Sequence, residues 1–319
     1  MTAMRGGIDL GGTKIQAAVL DDDGKVHGQS RHPTPTEGEP ADVAAAMAEA
    51  MREAASSADV ETKDLEGVGV GSPGVVDDAA GTVAGAGNLP HWDAPFALKD
   101  ALADALGCPV YLGNDVQVAT DAEVALGAGR PYDSLLGVFW GTGVGGGIVL
   151  DGKPWLGRSA AGEIGHVVVK IGGRRCPCGR KGCMEAYAGR GAMERRARKR
   201  VDKGEHTELF KIMEKRGRER LSSGVWARAL KAGDDMAASL LDEAVEALGA
   251  GVASAINVLD VEAVVIGGGM GTRLGKPYVG RIQAAMTPHL FNDSDPPDVV
   301  LAELGDLGGA IGAALLARP

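Results

Sequence analysis

Four residues whose types and spacing suit metal chemistry stand close together: His166, Cys176, Cys178 and Cys183, in the pattern H-x9-C-x-C-x4-C. Three thiolates and one imidazole are the ligand set of a closed tetrahedral Zn²⁺ site, and four protein ligands leave no open position, so such a metal is structural. An iron–sulfur cluster would want a fourth thiolate, and Cys108 lies far away in sequence. Glu163 and Glu185 bracket the pattern. Each alone reads as a surface carboxylate, but a zinc-tightened knuckle would hold both in place, and paired carboxylates bind polyols by accepting hydroxyl hydrogens.

Three glycine turns follow apolar strands. Asp9-Leu10-Gly11-Gly12-Thr13-Lys14 joins two predicted strands, where bare glycines admit a phosphate to backbone N–H groups and to the Thr and Lys side chains. The Walker spacing is absent and no helix follows, so this is no P-loop; an ordinary hairpin turn is the alternative. Asp9 could hold a hydrated Mg²⁺ through one carboxylate. Gly141-Thr142-Gly143-Val144-Gly145-Gly146-Gly147 is a second such hairpin, and Gly267-Gly268-Gly269 a third turn. The G-x-G-x-x-G match at 141–146 lacks a following helix, which disfavours a Rossmann site. A nucleotide lying across two domains is expected, phosphates on the hairpins and base or ribose on the third turn.

Gly113-Asn114-Asp115 ends one strand and opens a helix. A carboxylate at a helix N-terminus is expected to stay ionised at neutral pH. It is either a helix cap or a general base accepting the proton of a substrate hydroxyl that attacks phosphorus, with Asn114 fixing a neighbouring hydroxyl; both roles can coexist.

The elements that must position these residues alternate between strand and helix, which indicates an α/β fold. Strands are expected at 6–10, 15–20, from an acidic turn at 21–24 through 27, at 67–70, 110–112, 136–140, 145–150, 261–266 and 299–302. Helices are expected at 41–56, at 93–106 with Asp93 as N-cap, from 114, over 235–257, after the third glycine turn, and from 305. The hairpin at 136–150 echoes that at 6–20, which hints at duplicated domains. The expected division is 1–115 with 303–319 as the smaller domain and 116–302 as the larger one carrying the zinc residues.

The chain has 319 residues, and its 50 glycines, about 16%, are twice the usual ~7% without a collagen period. A net charge of −10 and pI near 5.2 disfavour a nucleic-acid surface. The apolar run 247–259 is shorter than the ~20 residues of a membrane span. No signal peptide is visible, and the cytoplasm is expected. Residues 174–231 hold 18 of the 33 Lys/Arg but only 7 of the 43 Asp/Glu. They form either solvated faces of two or three surface helices or an attractor for a polyanionic substrate.

Taken together, IDLGGTK, SPG, NLP-x-W, GND, GTGVGGG, GEIGH, CPCGRKGCMEAYAG and VVIGGGM, from residue 8 to residue 270, resemble the ROK family of bacterial sugar kinases and regulators, within the actin-like/hexokinase superfamily. The resemblance implies two actin-like (ribonuclease H-like) ATPase domains around a central cleft, with the C-terminal helix returning to the N-terminal domain. It implies Asp115 as general base, and Asn114, Glu163, His166 and Glu185 as sugar contacts, with Gly74 and Asn88 also facing the sugar. Repressors of the family carry an N-terminal helix-turn-helix domain, whereas here the phosphate hairpin starts eight residues from Met1, so no DNA-binding role is expected. The expected activity is ATP-dependent phosphorylation of a hexose, favouring glucose to glucose 6-phosphate, with Mg²⁺ and structural Zn²⁺, in a homodimer or higher homo-oligomer. Mannose, fructose, allose, N-acetylglucosamine and N-acetylmannosamine stay open as acceptors and polyphosphate as donor. The alternative of another class is a non-catalytic sugar sensor.

Overall fold

The computed structural model describes residues 3–317 apart from Asn88. The opening apolar runs form β1 (Met4–Leu10) and β2 (Lys14–Asp21), antiparallel with Leu10 opposite Ile15, and β3 (Val26–Pro33) extends the meander. After α1 (Pro40–Ser57) come β4 (Val68–Ser72), a small hairpin of β5 (Val75–Asp77) and β6 (Thr82–Ala84), α2 (Leu98–Leu106) and β7 (Val110–Asn114). The first sheet runs β3-β2-β1-β4-β7, with β1, β4 and β7 parallel.

Helix α3 (Asp115–Leu126) leads to β8 (Leu135–Trp140), β9 (Val144–Leu150) and the short β10 (Lys153–Pro154). The charged segment contributes α4 (Glu185–Ala188), α5 (Arg190–Val201), α6 (Leu209–Lys215) and α7 (Ser223–Lys231). The long α8 (Asp235–Leu259), β11 (Ala263–Gly267), α9 (Gly268–Leu274), α10 (Lys276–Met286), β12 (Asp298–Leu301) and α11 (Gly308–Leu316) complete the chain. The second sheet, β10-β9-β8-β11-β12, repeats the plan of the first: an antiparallel hairpin, then strands parallel to its first member. The echo between the two glycine hairpins is thus an echo of topology.

Glycine makes this packing possible. A β-carbon on Gly7 or Gly69 would strike the backbone of α11, so the last helix lies directly on β1 and β4. Helix α3 touches both halves, with Val118 against Gly312 of α11 and Thr120 against Gly137 and Gly147 of the second sheet. The buried Glu123 ties the crossing: its carboxylate accepts from the N–H groups of Ala128, Glu303 and Leu304 at 2.9–3.0 Å. The return of the chain near 303 therefore rests on a buried carboxylate with all its partners in place.

One expectation fails locally. Asp93 does not cap a helix; α2 begins five residues later, because Pro95 disfavours α geometry at Ala94 and Phe96 instead bridges Val83. Of the two readings of the basic stretch 174–231, that of surface helices with solvated charged faces matches what the structure shows: Arg195, Arg196, Arg198, Lys199, Lys211, Lys215 and Arg228 are exposed, while the opposite faces of α5, α6 and α7 bury Met193, Ala197, Leu209, Met213, Val225 and Trp226 in the core of the second half. Among the described residues, no helix is long and apolar enough to cross a membrane.

Candidate active site

The parallel strands β1, β4 and β7 end together. Asp9 lies opposite Gly71, Gly71 opposite Gly113, and Ser72 opposite Asn114, so one sheet edge presents Asp9, Asn114 and Asp115, as open α/β sheets commonly do at a ligand crevice. Asn114 is the N-cap of α3, its side-chain oxygen accepting from the N–H groups of Val116 and Gln117, both at 3.1 Å. Its amide NH₂ has no role in the cap. The Asp115 carboxylate accepts from Val116 N at 2.9 Å.

The expectation that Asp115 is fully ionised at neutral pH is corrected here. Burial is the largest influence and Asp9 the next; with a smaller push from Glu163 they outweigh the Val116 N–H and raise the Asp115 pKa to about 7. Asp9 rises to about 6, again mainly through burial, with Lys14 opposing and Asp306 adding to the rise. A β-carbon on Gly309 would fall 2.7 Å from the Asp9 carboxyl carbon; the start of α11 is bare so that this carboxylate fits. Three carboxylates, Asp9, Asp115 and Glu163, thus share one field, an arrangement suited to a cation and to a proton acceptor poised near neutrality.

The β1–β2 tip is closed by Gly11 N–H to Lys14 O at 2.9 Å and by the Thr34 hydroxyl donating to Gly11 O at 2.6 Å, with Gly12 and Thr13 between. Lys14 donates to Gln16 Oε1 at 2.9 Å, and its Nζ lies 3.7 Å from Asp306. The β8–β9 tip is clipped from outside: Arg190 N–H donates to Gly141 O and Gly191 N–H to Thr142 O, at 3.1 and 3.0 Å. Its glycines divide by use. Gly141 is open, with nothing within 4 Å of where a β-carbon would sit, whereas Gly143 abuts the Glu185 carboxylate and a β-carbon on Gly145 would meet Val116 at 2.6 Å. In the third turn Gly267 packs on the Phe139 ring, Gly268 (φ +78°) on the Trp140 backbone, and Gly269 is nearly open, with Ser223 Oγ at 3.9 Å.

His166, Cys176, Cys178 and Cys183 converge, with all four ligand atoms within 4.8 Å of one another. Cys178 Sγ and Cys183 Sγ are 3.8 Å apart, and Cys176 Sγ is 3.7 Å from His166 Nδ1. Tetrahedral ligation at about 2.3 Å for sulfur and about 2.0 Å for nitrogen requires close to these separations, so the donor set fits Zn²⁺ in both chemistry and spacing. Nδ1 is the inward nitrogen. His166 Nε2 faces Glu163, 3.8 Å from Oε2 and too far for a direct hydrogen bond. Glu185 opens α4 between the two features, with Oε1 3.7 Å from Cys176 Sγ and Oε2 accepting from Val144 N–H at 3.0 Å. It therefore joins the cysteine knuckle to the β8–β9 hairpin.

The sequence profile of the ROK family matches residues 5–319. The chain belongs to the ROK family. It is 33% identical over 314 residues to the glucokinase of Thermotoga maritima, covering 98% of this chain and 96% of that one. To the N-acetylgalactosamine kinase AgaK of Shewanella sp. strain ANA-3 it is 32% identical over 319 residues, covering 97% and 95%. Among solved structures it resembles a ROK family glucokinase from Streptomyces griseus in complex with glucose and AMPPNP, with a TM-score of 0.85, 32% identity and 99% of each chain covered. The chain is accordingly a sugar kinase, and the non-catalytic alternative is set aside.

In this ROK kinase Gly74 sits just beyond β4 at φ +88°, with room for a β-carbon denied by Ala84 O at 2.5 Å. Asn88 lies outside the described residues. Two residues at the hairpins escaped sequence reasoning. Arg190, hidden within a long basic stretch, donates from Nη2 to Thr142 Oγ1 at 2.8 Å; its place directly after the glycine that follows EAYA was the available signal. Asp306, beside Lys14 and Arg31, belongs to no motif.

Proposed function

We propose that the kinase transfers the γ-phosphoryl group of ATP to a hexose hydroxyl, with the 6-hydroxyl of glucose as the favoured acceptor. The observation that carries this reading is the half-buried Asp115 carboxyl at the sheet edge, raised to about 7, where a general base is most effective at neutral pH. Asp115 takes the proton from the hydroxyl as its oxygen attacks the γ-phosphorus; the bond from that phosphorus to the β,γ-bridging oxygen breaks, and ADP leaves. Asn114, Glu163, His166 and Glu185 orient the sugar, with Gly74 at its edge. Oxygens that accept hydroxyl hydrogens and an imidazole N–H that donates form a frame for a polyol.

The two glycine hairpins, with Gly11, Gly12, Thr13, Lys14, Gly141, Thr142 and Gly143, receive the donor phosphates, and Gly267–Gly269 borders its nucleoside. Gly145, counted with them, also packs against Val116 of α3, where a β-carbon would not fit. Asp9 would hold Mg²⁺, which when bound neutralises the donor's charge. His166, Cys176, Cys178 and Cys183 would hold Zn²⁺ as a structural centre fixing the sugar-binding carboxylates. The halves 1–115 with 303–319 and 116–302 correspond to actin-like domains closing around this cleft, with α3 as the element common to both.

An N-acetylhexosamine acceptor is the second reading, favoured by similarity to the N-acetylgalactosamine kinase. A screen of ADP release over glucose, mannose, fructose, allose and the N-acetylhexosamines, with ATP and with polyphosphate, tests both. Highest kcat/KM on glucose with ATP is expected. Highest kcat/KM on an N-acetylhexosamine would replace the acceptor, and no turnover on any sugar would refute the proposal.

A further inference from the structure

A guanidinium without a counterion stands at the tip of the second hairpin. Arg190 is half-buried, and among the described residues no carboxylate lies within 4.0 Å of its side-chain nitrogens. Glu194, the acidic group closest in sequence on the same helix, has both oxygens engaged. Oε1 accepts from Arg198 at 2.7 Å and Oε2 from Leu221 N–H at 3.0 Å. Burial depresses the Arg190 pKa; Glu194 opposes this and the positive charge of Arg220 reinforces it. Arginine does not escape such a site by losing its proton. A partly desolvated cation that lacks a fixed counterion costs free energy in the empty protein, and that cost is recovered by an anion that binds there.

The surroundings specify the anion. Among the described residues, the hydrogen bond from the Arg190 side chain goes to Thr142 Oγ1. Because that oxygen accepts from Nη2, the Thr142 hydroxyl hydrogen is left to donate elsewhere. The neighbouring Gly141 has open space where a side chain would sit. The Arg190 and Gly191 N–H groups, bonded to the carbonyls of Gly141 and Thr142, fix the hairpin relative to the guanidinium. A planar cation, a hydroxyl donor and a bare backbone side by side match the oxygens of a phosphoryl group.

We propose that Arg190, paired with the Thr142 hydroxyl, binds the terminal phosphates of the phosphoryl donor. This rests on the kinase reading above and adds to it a residue that sets donor affinity. Arg190 senses phosphate number rather than base or sugar. Its loss should weaken ATP much more than AMP, and leave hexose binding nearly intact.

Calorimetric titration of the full-length protein with ATP, ADP and AMP, for wild type, Arg190→Met and Arg190→Lys, tests this. Loss of charge-assisted hydrogen bonds to phosphate should raise the ATP Kd about 10- to 100-fold in Arg190→Met, with the AMP and hexose Kd values within about twofold of wild type. Arg190→Lys should recover part of the ATP affinity as a point charge, and it keeps the test valid should the Met variant fold poorly. A parallel fall in ATP, AMP and hexose affinity would reduce Arg190 to a staple of the hairpin and overturn the proposal, as would unchanged ATP affinity. Wild-type protein that binds no ATP would defeat the kinase reading itself, whereas wild type that binds ATP as tightly as Arg190→Met defeats only the role of Arg190.

Discussion

Replacing Asp115 by Asn should make the protein more stable while removing its activity. The carboxyl is displaced from 3.8 to about 7, with burial as the main cause and Asp9 next. At about 1.4 kcal/mol per tenfold change in the ionisation equilibrium, this corresponds to roughly 4 kcal/mol of strain with Asp115 fully ionised. The residue is partly open to the cleft, and water there screens the charge, so about half of that is expected to be recoverable. Asn keeps a carbonyl to accept from Val116 N–H, but it loses the carboxylate at the first turn of α3, about 0.3–1 kcal/mol in the other direction. The net gain is therefore about 1–2 kcal/mol at pH 8, a rise of roughly 2–5 °C in melting temperature. The sign follows from linkage. Below about pH 4 the carboxyl is protonated in both folded and unfolded chains and the gain vanishes; it grows between pH 4 and 7, and is complete above 7. Thermal melts of both proteins at pH 4.5, 6, 7 and 8 would measure it. A variant that melts below wild type at pH 8, or whose gain is the same at every pH, would refute the reasoning.

Three further outcomes are expected. Cys178→Ser should lose metal, since structural zinc contributes on the order of 10 kcal/mol to the fold of its site, and should thereby displace Glu163, His166 and Glu185; elemental analysis should find about one zinc per wild-type chain and far less in the variant. Arg198→Glu should destabilise by about 2 kcal/mol in urea melts, because Arg198 donates twice to Glu194 and stacks 4.8 Å from Phe210, while Arg196→Glu, with no such partner, should stay within about 0.5 kcal/mol. Equal effects would remove the structural role of Arg198. Gly309→Ala should push the Asp9 carboxylate aside and raise the KM for MgATP about tenfold, at a cost of about 1–3 kcal/mol for overpacking; an unchanged KM would remove Asp9 from the donor site.

The α/β order, both glycine hairpins and the convergence of one histidine with three cysteines were legible in the sequence, because each is written in residues adjacent along the chain. What depends on packing across the chain was not. Asp115 read as an ionised group at a helix N-terminus, since neither its burial nor the charge of Asp9, over a hundred residues away, is local information. The glycines of the second hairpin read as a single phosphate loop, yet Gly145 and Gly147 are bare to admit Val116 and Thr120 of α3. The β5–β6 hairpin was missed because its strands are three residues long and Val75 is exposed, which leaves no alternation to detect. Arg198 read as one of many surface charges because its buried partner Glu194 looks no different from an exposed glutamate in a sequence.

The central claim is that Asp115 is the base of an ATP-dependent hexose phosphorylation, and the pH dependence of kcat/KM for glucose with saturating MgATP tests it most directly. Wild type should rise through an acid limb with an apparent pKa near 7 and level off above it, following ionisation of the Asp115 carboxyl. Asp115→Asn should lose about 10²–10⁴ of kcat with glucose affinity nearly unchanged, and lose the acid limb with it. An acid limb that survives in the variant, or near-normal turnover without Asp115, would contradict the account.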